Sequence, residues 1–261
     1  MAILESRSKT GFSWVKESVA LFKQSPRKWL LLAMAYVSIF MMLPSLPGFQ
    51  FFAFLTILIW PVFIAIAIRM YRNAEVSKPE SLAATMKIVQ PKMATLMLLG
   101  VVCLLYGIAV NYLLNADIQG FATVAQGKAE MNESEMAVLV QKMLPFLLKL
   151  TLFLVPLMMA TWFAPMLIAF NNYSLVKAIK SSIAGSLQYM IALAAAWLLL
   201  TGGIVALMLG AGIVVGIIGA LVPTVAPLLM SFLVFGCLLL ASAIMLAFQY
   251  VSYRDVYRSV M

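Results

Sequence analysis

The chain has 261 residues, of which 64% are hydrophobic and only 10% are charged, and it contains no His. This composition lies far outside the range of soluble globular domains, so the sequence predicts an integral membrane protein. The formal net charge of +9 does not indicate nucleic-acid binding, because the basic residues are spread along the chain and form no single patch. The longest polar stretch, residues 115–141, is too short for an aqueous domain, and we predict a single membrane domain over 1–261.

Six apolar segments are long enough to cross a bilayer, which takes about 20 residues per helix. In chain order they are residues 29–46, 50–70, 93–114, 145–170, 188–209 and 225–250. No charged residue occurs from Ser181 to Tyr253, a run of 73 residues. The sequence therefore predicts an all-α integral membrane protein with six transmembrane helices.

Three further segments, each just before an odd-numbered span, have helical periodicity but are too polar to cross the membrane. Each opens with a Ser in the position of a helix N-cap, namely Ser13, Ser81 and Ser174. Helices of this kind lie in the plane of the lipid headgroups. We therefore predict three cytoplasmic interfacial amphipathic helices and three repeats, each a helix followed by a hairpin of two spans. The repeat units are residues 11–72, 79–172 and 173–258.

The three predicted outer connections differ from one another. The first is a short uncharged turn over 44–48, and the second is an acidic loop with a short helix over 134–143. The third is a Gly-rich run over 202–219, which the sequence alone does not assign to a helix end, a loop or a re-entrant segment. Its Gly212 and Gly216 could let two helices approach closely, or the glycines could loosen the tip of the hairpin.

The distribution of charge predicts the orientation of the chain. With a cytoplasmic N-terminus, 15 of the 18 Lys and Arg residues fall on the cytoplasmic side. This bias predicts that both termini are cytoplasmic. We expect the cytoplasmic face to contact anionic lipid headgroups, and no nucleic acid. The candidate headgroup contacts are Lys16, Lys23, Lys87, Lys177 and Lys180.

Ionisable groups are scarce where catalysis would need them. The six predicted spans contain no Asp or Glu, and the lack of His excludes Ser-His and Cys-His nucleophile pairs and His-ligated metals. Cys103 and Cys237 fall in mid-span, where a thiol behaves as a small apolar group. We therefore predict no enzyme, no cofactor and no metal site. The carboxylates Glu17, Glu75, Glu80 and Asp255 are expected to form ion pairs on a solvated face, and Lys149 to extend to the headgroups.

Four prolines are predicted to interrupt helices: Pro61, Pro156, Pro165 and Pro227. Pro61 and Pro165 fall at similar depths in the second spans of the first two repeats. Paired breaks of this kind mark midplane sites in transporters, although kinks that only improve packing are an alternative. The candidate cavity-lining residues are Pro61, Tyr106, Thr161 and Pro165.

Several motifs resemble those of a known family. They are Gly11-Phe12-Ser13-Trp14, Trp162-Phe163-Ala164-Pro165 and Ser252-Tyr253-Arg254-Asp255. With these motifs the chain resembles a family of uncharacterised proteobacterial multipass inner-membrane proteins. The repeated unit is more distantly similar to the membrane domain of some glycerophosphodiester phosphodiesterases, which is not their catalytic part. The resemblance implies six helices in a bacterial inner membrane and no established activity.

Three functions stay open at this point. The leading hypothesis is a non-enzymatic scaffold, assembly factor or lipid-organising module, whose partners are membrane lipids, another membrane protein or a second copy of the chain. The alternative is a transporter or channel for a small, weakly polar or amphiphilic substrate. A further alternative is an immunity-type protein against a membrane toxin, which would dock on the acidic segment from Glu130 to Glu135.

Overall fold

The regular elements of the chain are helices. A computed structural model describes residues 2–78, 80–125 and 133–257. The helices in these ranges are α1 (Ala2–Gln24), α2 (Pro26–Val37), α3 (Leu43–Ser45), α4 (Phe52–Glu75), α5 (Leu82–Val89), α6 (Met93–Ala125), α7 (Glu133–Thr161), α8 (Ala164–Asn171), α9 (Leu175–Gln188), α10 (Met190–Leu221) and α11 (Ala226–Val256). A π-helical turn over Ser38–Met42 joins α2 to α3, and a 3₁₀ turn over Gln90–Lys92 joins α5 to α6.

Six stretches of helix are long and apolar enough to cross a membrane. They are Pro26–Ser45, Phe52–Glu75, Leu82–Gly120, Met143–Asn171, Met190–Leu221 and Ala226–Val256. Each overlaps one predicted span, so the prediction of an all-α multipass membrane protein is confirmed. The interfacial position of α1, α5 and α9 and the threefold repeat stay predictions.

The Gly-rich run over 202–219 is helical and leads to the C-terminal end of α10 at Leu221, so of the assignments left open it is a helix end and not a loop. A lipid environment offers the backbone no alternative hydrogen-bond partner, and this outweighs the low helix propensity of Gly in water. A Cβ atom built on Gly212 or Gly216 meets no other atom within 4 Å. The close helix approach considered for this pair is therefore not made within the described part of the chain.

Of four other predicted helix starts, two are as predicted and two differ. Ser13 does not begin a helix, since α1 starts at Ala2 and the Ser13 hydroxyl donates to the Thr10 carbonyl. Ser81 does cap α5, because its side chain accepts from the Ala84 backbone N–H at 3.2 Å. Ser174 occupies the N-cap position of α9 without a side-chain cap. The segment 134–143, predicted as a separate short helix, is the start of α7.

Most of the prolines predicted to break helices do not do so. Pro61 and Pro156 lie inside α4 and α7, and Pro227 lies in the first turn of α11. Pro165 alone among the four coincides with a break, because α7 ends at Thr161 and α8 begins at Ala164. A Pro in the first helical turn removes no helical hydrogen bond, which explains why Pro227 is tolerated.

Helix α4 stays continuous at Pro61 because α6 packs tightly against the same turn. Pro61 deprives the Ile57 carbonyl of its helical donor. A Cβ atom on Gly100 of α6 would lie 2.8 Å from that carbonyl oxygen and 2.7 Å from the Leu58 carbonyl oxygen. The missing side chain of Gly100 therefore allows the two backbones to meet at the proline.

Helix α1 is docked between the last two helices. A Cβ atom on Gly11 would lie 2.5 Å from the Ala192 carbonyl oxygen of α10. The buried Trp14 indole donates to Asp255 at the end of α11, at 2.9 Å. Val15 and Val19, which the helical pattern assigns to the lipid-facing side, line a cavity with α10 and α11. The chain's first helix and its last turns thus lie at one end of the bundle.

The tightest core is at this same end of the bundle. Its large, fully buried side chains include Trp14, Trp29, Tyr71, Tyr250, Tyr253, Phe163 and Phe248. In contrast, large apolar side chains of α10 are exposed, such as Leu198 at 75% and Ile213 at 67%. Such exposure suits helices that face lipid.

Candidate functional site

A break between α7 and α8 exposes backbone groups inside the bundle, and side chains of two other helices bond to them. The Ser182 hydroxyl of α9 donates to the Met159 carbonyl at 2.7 Å and accepts from the Phe163 N–H at 3.0 Å. The Gln249 side chain of α11 donates to the Trp162 carbonyl at 2.8 Å. These bonds satisfy polar groups that lipid cannot and fix the broken turn.

Three cavities share the Trp197 side chain of α10 as part of their lining, and two of them are also lined by Trp162 of the break. The largest, of about 560 Å³, lies between α2, α4, α7, α10 and α11. A second, of about 300 Å³, lies between α7, α9 and α10, and a third, of about 460 Å³, lies between α1, α10 and α11. We call them together the Trp197 cavity. Each volume lies in the range of about 300–1,000 Å³ that is usual for small-molecule sites.

The chemistry of the Trp197 cavity is that of an apolar ligand site. Its described lining is mainly aliphatic, Met and aromatic side chains, and it includes no charged residue. The polar side chains at its walls include Thr161, Ser186, Ser242 and Gln249. The amide NH₂ of Gln249 donates to the Trp162 carbonyl, which leaves the side-chain oxygen of Gln249 as an acceptor. The cavity therefore suits a long apolar group with a small polar end.

One of the four residues predicted to line a cavity does so among the described lining residues. Thr161 lines the largest part of the Trp197 cavity. Pro61 and Pro165 are buried in α4 and α8, and Tyr106 donates its hydroxyl to the Phe153 carbonyl of α7 at 2.8 Å. Trp60, the neighbour of Pro61 in the sequence, therefore lines the cavity, whereas Pro61 is buried in α4 and does not.

Sequence reasoning missed the aromatic walls of this site. Trp60, Trp162 and Trp197 all line the largest part of the cavity. Trp in membrane helices usually belongs to the interfacial belts. A Trp well inside a predicted span, as Trp197 is in 188–209, was the available signal.

Carboxylates at the end of the bundle where α1 contacts α11 form a network around Arg254. Its guanidinium pairs with Glu17 of α1, Glu75 of α4 and the adjacent Asp255. Tyr250 donates to Glu75, and Trp14 donates to Asp255. Ion pairing was predicted here, and the carboxylate side chains are partly exposed, at 43% for Glu17, 29% for Glu75 and 18% for Asp255. The network joins three helices.

Two smaller ion pairs lie at opposite ends of the bundle. Arg69 and Asn73 donate to Glu80 between α4 and α5, and the Arg69 hydrogen bond is the main cause that lowers the pKa of the Glu80 carboxyl. Lys149 of α7, predicted to extend to the headgroups, instead donates to both oxygens of Asp117 of α6 at 2.9 and 3.0 Å. Both pairs act between helices.

The five predicted headgroup contacts are all exposed side chains: Lys16, Lys23, Lys87, Lys177 and Lys180. Lys177 places its ammonium 4.0 Å from the ring centroid of Tyr173. Exposure is compatible with contact to headgroups, and that contact stays a prediction.

The fold and the site define a multipass membrane protein with apolar cavities between its helices, whose described lining carries no charge. Comparisons of the chain with models of protein families, with curated proteins and with solved structures gave no match. The resemblance based on the sequence motifs therefore stays a prediction, and the interpretation of the site rests on its geometry.

Proposed function

We propose that this chain is a non-enzymatic, lipid-organising protein of a bacterial inner membrane, which holds one acyl chain of a lipid or similar amphiphile in the Trp197 cavity. The observation that carries the proposal is the meeting of three apolar cavities at one Trp side chain. An acyl chain is unbranched and flexible, so it suits narrow apolar spaces between helices.

The lining favours binding over catalysis. General acid–base and nucleophilic chemistry need ionisable side chains within hydrogen-bond reach of a reacting group. The described walls of the cavity carry hydroxyl, amide and indole groups, all of which are neutral. The charged groups of the Arg254 network form ion pairs between helices.

The proposed orientation has both termini in the cytoplasm. It is supported by the excess of Lys and Arg that the positive-inside rule places there and by the contact of Trp14 with Asp255, which keeps α1 and the end of α11 together. The candidate headgroup contacts on α1, α5 and α9 would then face anionic lipid.

The proposal is tested by filling the cavity. Ala241 lines two of the three lobes, so Ala241→Phe places a ring where the acyl chain would lie. The control is Val234→Phe on the same helix, at a side chain that is 45% exposed. Lipids with brominated acyl chains quench nearby Trp fluorescence, and native mass spectrometry counts retained lipids.

We expect the unaltered protein and Val234→Phe to retain one tightly held lipid and to show strong quenching, since three of the five Trp residues line the cavity. Ala241→Phe should lose that lipid and part of the quenching. Equal lipid retention and equal quenching in the two variants would show that the cavity holds no acyl chain.

Transport of an amphiphile is the second candidate, and the break beside the cavity favours it. Thr161 and Trp162 both line the largest lobe and immediately precede α8. If the broken turn moves during transport, Pro165→Ala should reduce flux in reconstituted vesicles. Unchanged flux in both Pro165→Ala and Pro61→Ala would reject this candidate.

The immunity-type alternative depends on the acidic segment from Glu130 to Glu135, whose side chains lie outside the described residues. It stays a prediction.

A further inference from the structure

A groove lies where α1 ends and α2 begins, on the outside of the bundle, and it shares no described lining residue with the Trp197 cavity. Its volume is about 610 Å³. One wall is the start of α2, and the other comes from the end of α4 and the start of α5. The residues that line it are Ser25, Pro26, Arg27, Lys28, Leu31, Leu32, Met70 and Leu82.

Charge and apolar surface are ordered along this groove. Arg27 and Leu31 are four residues apart on α2, as are Lys28 and Leu32, so each cation has a leucine one helical turn further along its own face. Met70 and Leu82 add apolar surface from the opposite wall. A groove with cations at one end and hydrocarbon at the other matches an amphiphile with an anionic head.

Neither cation is neutralised by a carboxylate of the described residues, and the Lys28 ammonium lies 4.8 Å from the centroid of the Trp29 ring, a contact that leaves its charge in place. Arg27 and Lys28 are exposed, and neither forms an ion pair with another residue of the described ranges. The described lining contains no carboxylate. The Ser25 side chain does not cap α2, so the positive end of that helix adds to the local potential.

The groove is held open by a rigid corner. The Trp29 indole donates to the Leu21 carbonyl of α1 at 3.0 Å, and its ring stacks on Tyr71 of α4 with 3.8 Å between centroids. The Tyr71 hydroxyl in turn donates to the Ala243 carbonyl of α11 at 2.8 Å. On the opposite wall, the cap by Ser81 fixes the first turn of α5, on which Leu82 stands. A preformed groove loses little entropy on binding.

We propose that this groove binds one anionic phospholipid, with its phosphate on Arg27 and Lys28 and the first part of an acyl chain on Leu31 and Leu82. The inference rests on the proposed lipid-organising function but concerns a separate site and adds the class of lipid. The apolar wall favours a phospholipid over a soluble phosphate ester, which would leave that wall unfilled.

The test compares two double variants that lose the same amount of charge. Arg27→Gln with Lys28→Gln removes the cations of the groove, and Lys78→Gln with Lys92→Gln removes two cations that do not line it. Each full-length protein is titrated with dioleoylphosphatidylglycerol and with dioleoylphosphatidylcholine in detergent, and native mass spectrometry counts the bound lipids. Thermal unfolding midpoints check that each variant is folded.

We expect the unaltered protein to bind one phosphatidylglycerol more tightly than phosphatidylcholine. The groove variant should bind it roughly 10- to 30-fold more weakly, as two near-surface cations imply. The Lys78→Gln, Lys92→Gln variant should change by less than roughly threefold, because neither side chain lines the groove and the charges of surface cations are screened by salt. Millimolar glycerol phosphate should not displace the lipid.

Equal weakening in both double variants would show diffuse attraction and overturn the proposal, as would no weakening in either. Displacement by glycerol phosphate would show a phosphate site without a lipid. If the groove variant does not fold, Leu31→Asn, at a side chain that is 61% exposed, replaces it and should weaken binding of the same lipid. A lipid lost from Ala241→Phe but kept by the groove variant would reject the groove alone, and the reverse result would reject the Trp197 cavity alone.

Discussion

Replacing Gly100 with Ala would place a methyl group 2.7 Å from the Leu58 Cα atom and 2.8 Å from the Ile57 carbonyl oxygen. Both neighbours are backbone atoms, so no side chain can rotate away. Ordinary contact between carbon atoms begins near 3.5 Å, and α6 would therefore have to move from α4 by roughly 0.8 Å. Overpacking of this kind costs about 1–3 kcal/mol.

The same helix offers a matched control. A Cβ atom on Gly107 of α6 meets nothing within 4 Å, so Gly107→Ala changes the helix propensity without a clash. Both variants gain the same propensity, about 1 kcal/mol, and their difference isolates the packing at Pro61. We expect Gly100→Ala to be less stable than Gly107→Ala by about 1–3 kcal/mol.

Equilibrium unfolding in mixed micelles, followed by circular dichroism as the SDS fraction rises, measures this difference. If the two variants unfold at the same SDS fraction, the close approach of α4 and α6 at Pro61 is not made.

Three further predictions concern polar contacts. Arg254→Gln would leave three partly buried carboxylates without their shared cation, and the same unfolding assay should show a loss of roughly 3 kcal/mol; an unchanged midpoint would show that water already screens the network. Ser182→Ala should cost about 1–3 kcal/mol because a backbone N–H loses its acceptor, whereas Ser181→Ala on the same helix should cost less than half of that. In ¹³C-glutamate NMR, the Glu80 carboxyl should titrate below its ordinary pKa, and Arg69→Gln should raise that pKa. Since folding lowers this pKa, its contribution to stability is present above the ordinary pKa and is lost as the pH falls through the folded value. A Glu80 pKa that does not change in Arg69→Gln would contradict the assignment of its shift to Arg69.

The number and positions of the membrane helices were predictable because a bilayer imposes a minimum apolar length on every crossing. That rule depends only on local sequence. The same reasoning left residues 202–219 open, because Gly was judged by its behaviour in water, whereas α10 continues to Leu221 in an apolar setting.

The candidate site was only partly predictable, because it is assembled from distant segments. Thr161 was expected at a cavity and lines one, but the cavity is centred on Trp197, which no local motif marks. The contact between Arg254 and Glu17 joins residues 237 positions apart. Charge counting places such residues at one face of the membrane but does not determine which of them meet.

The docking of α1 between α10 and α11 has a consequence for how the protein is made. Trp14 and its partner Asp255 are 241 residues apart, and translation at about 5–20 residues per second separates them by roughly 12–50 s. Throughout that time α1 has left the ribosome but its binding surface does not yet exist. If α1 is the amphipathic surface helix that the sequence predicts, it waits at the membrane surface, and the contact with α11 closes only when the final helix has been inserted.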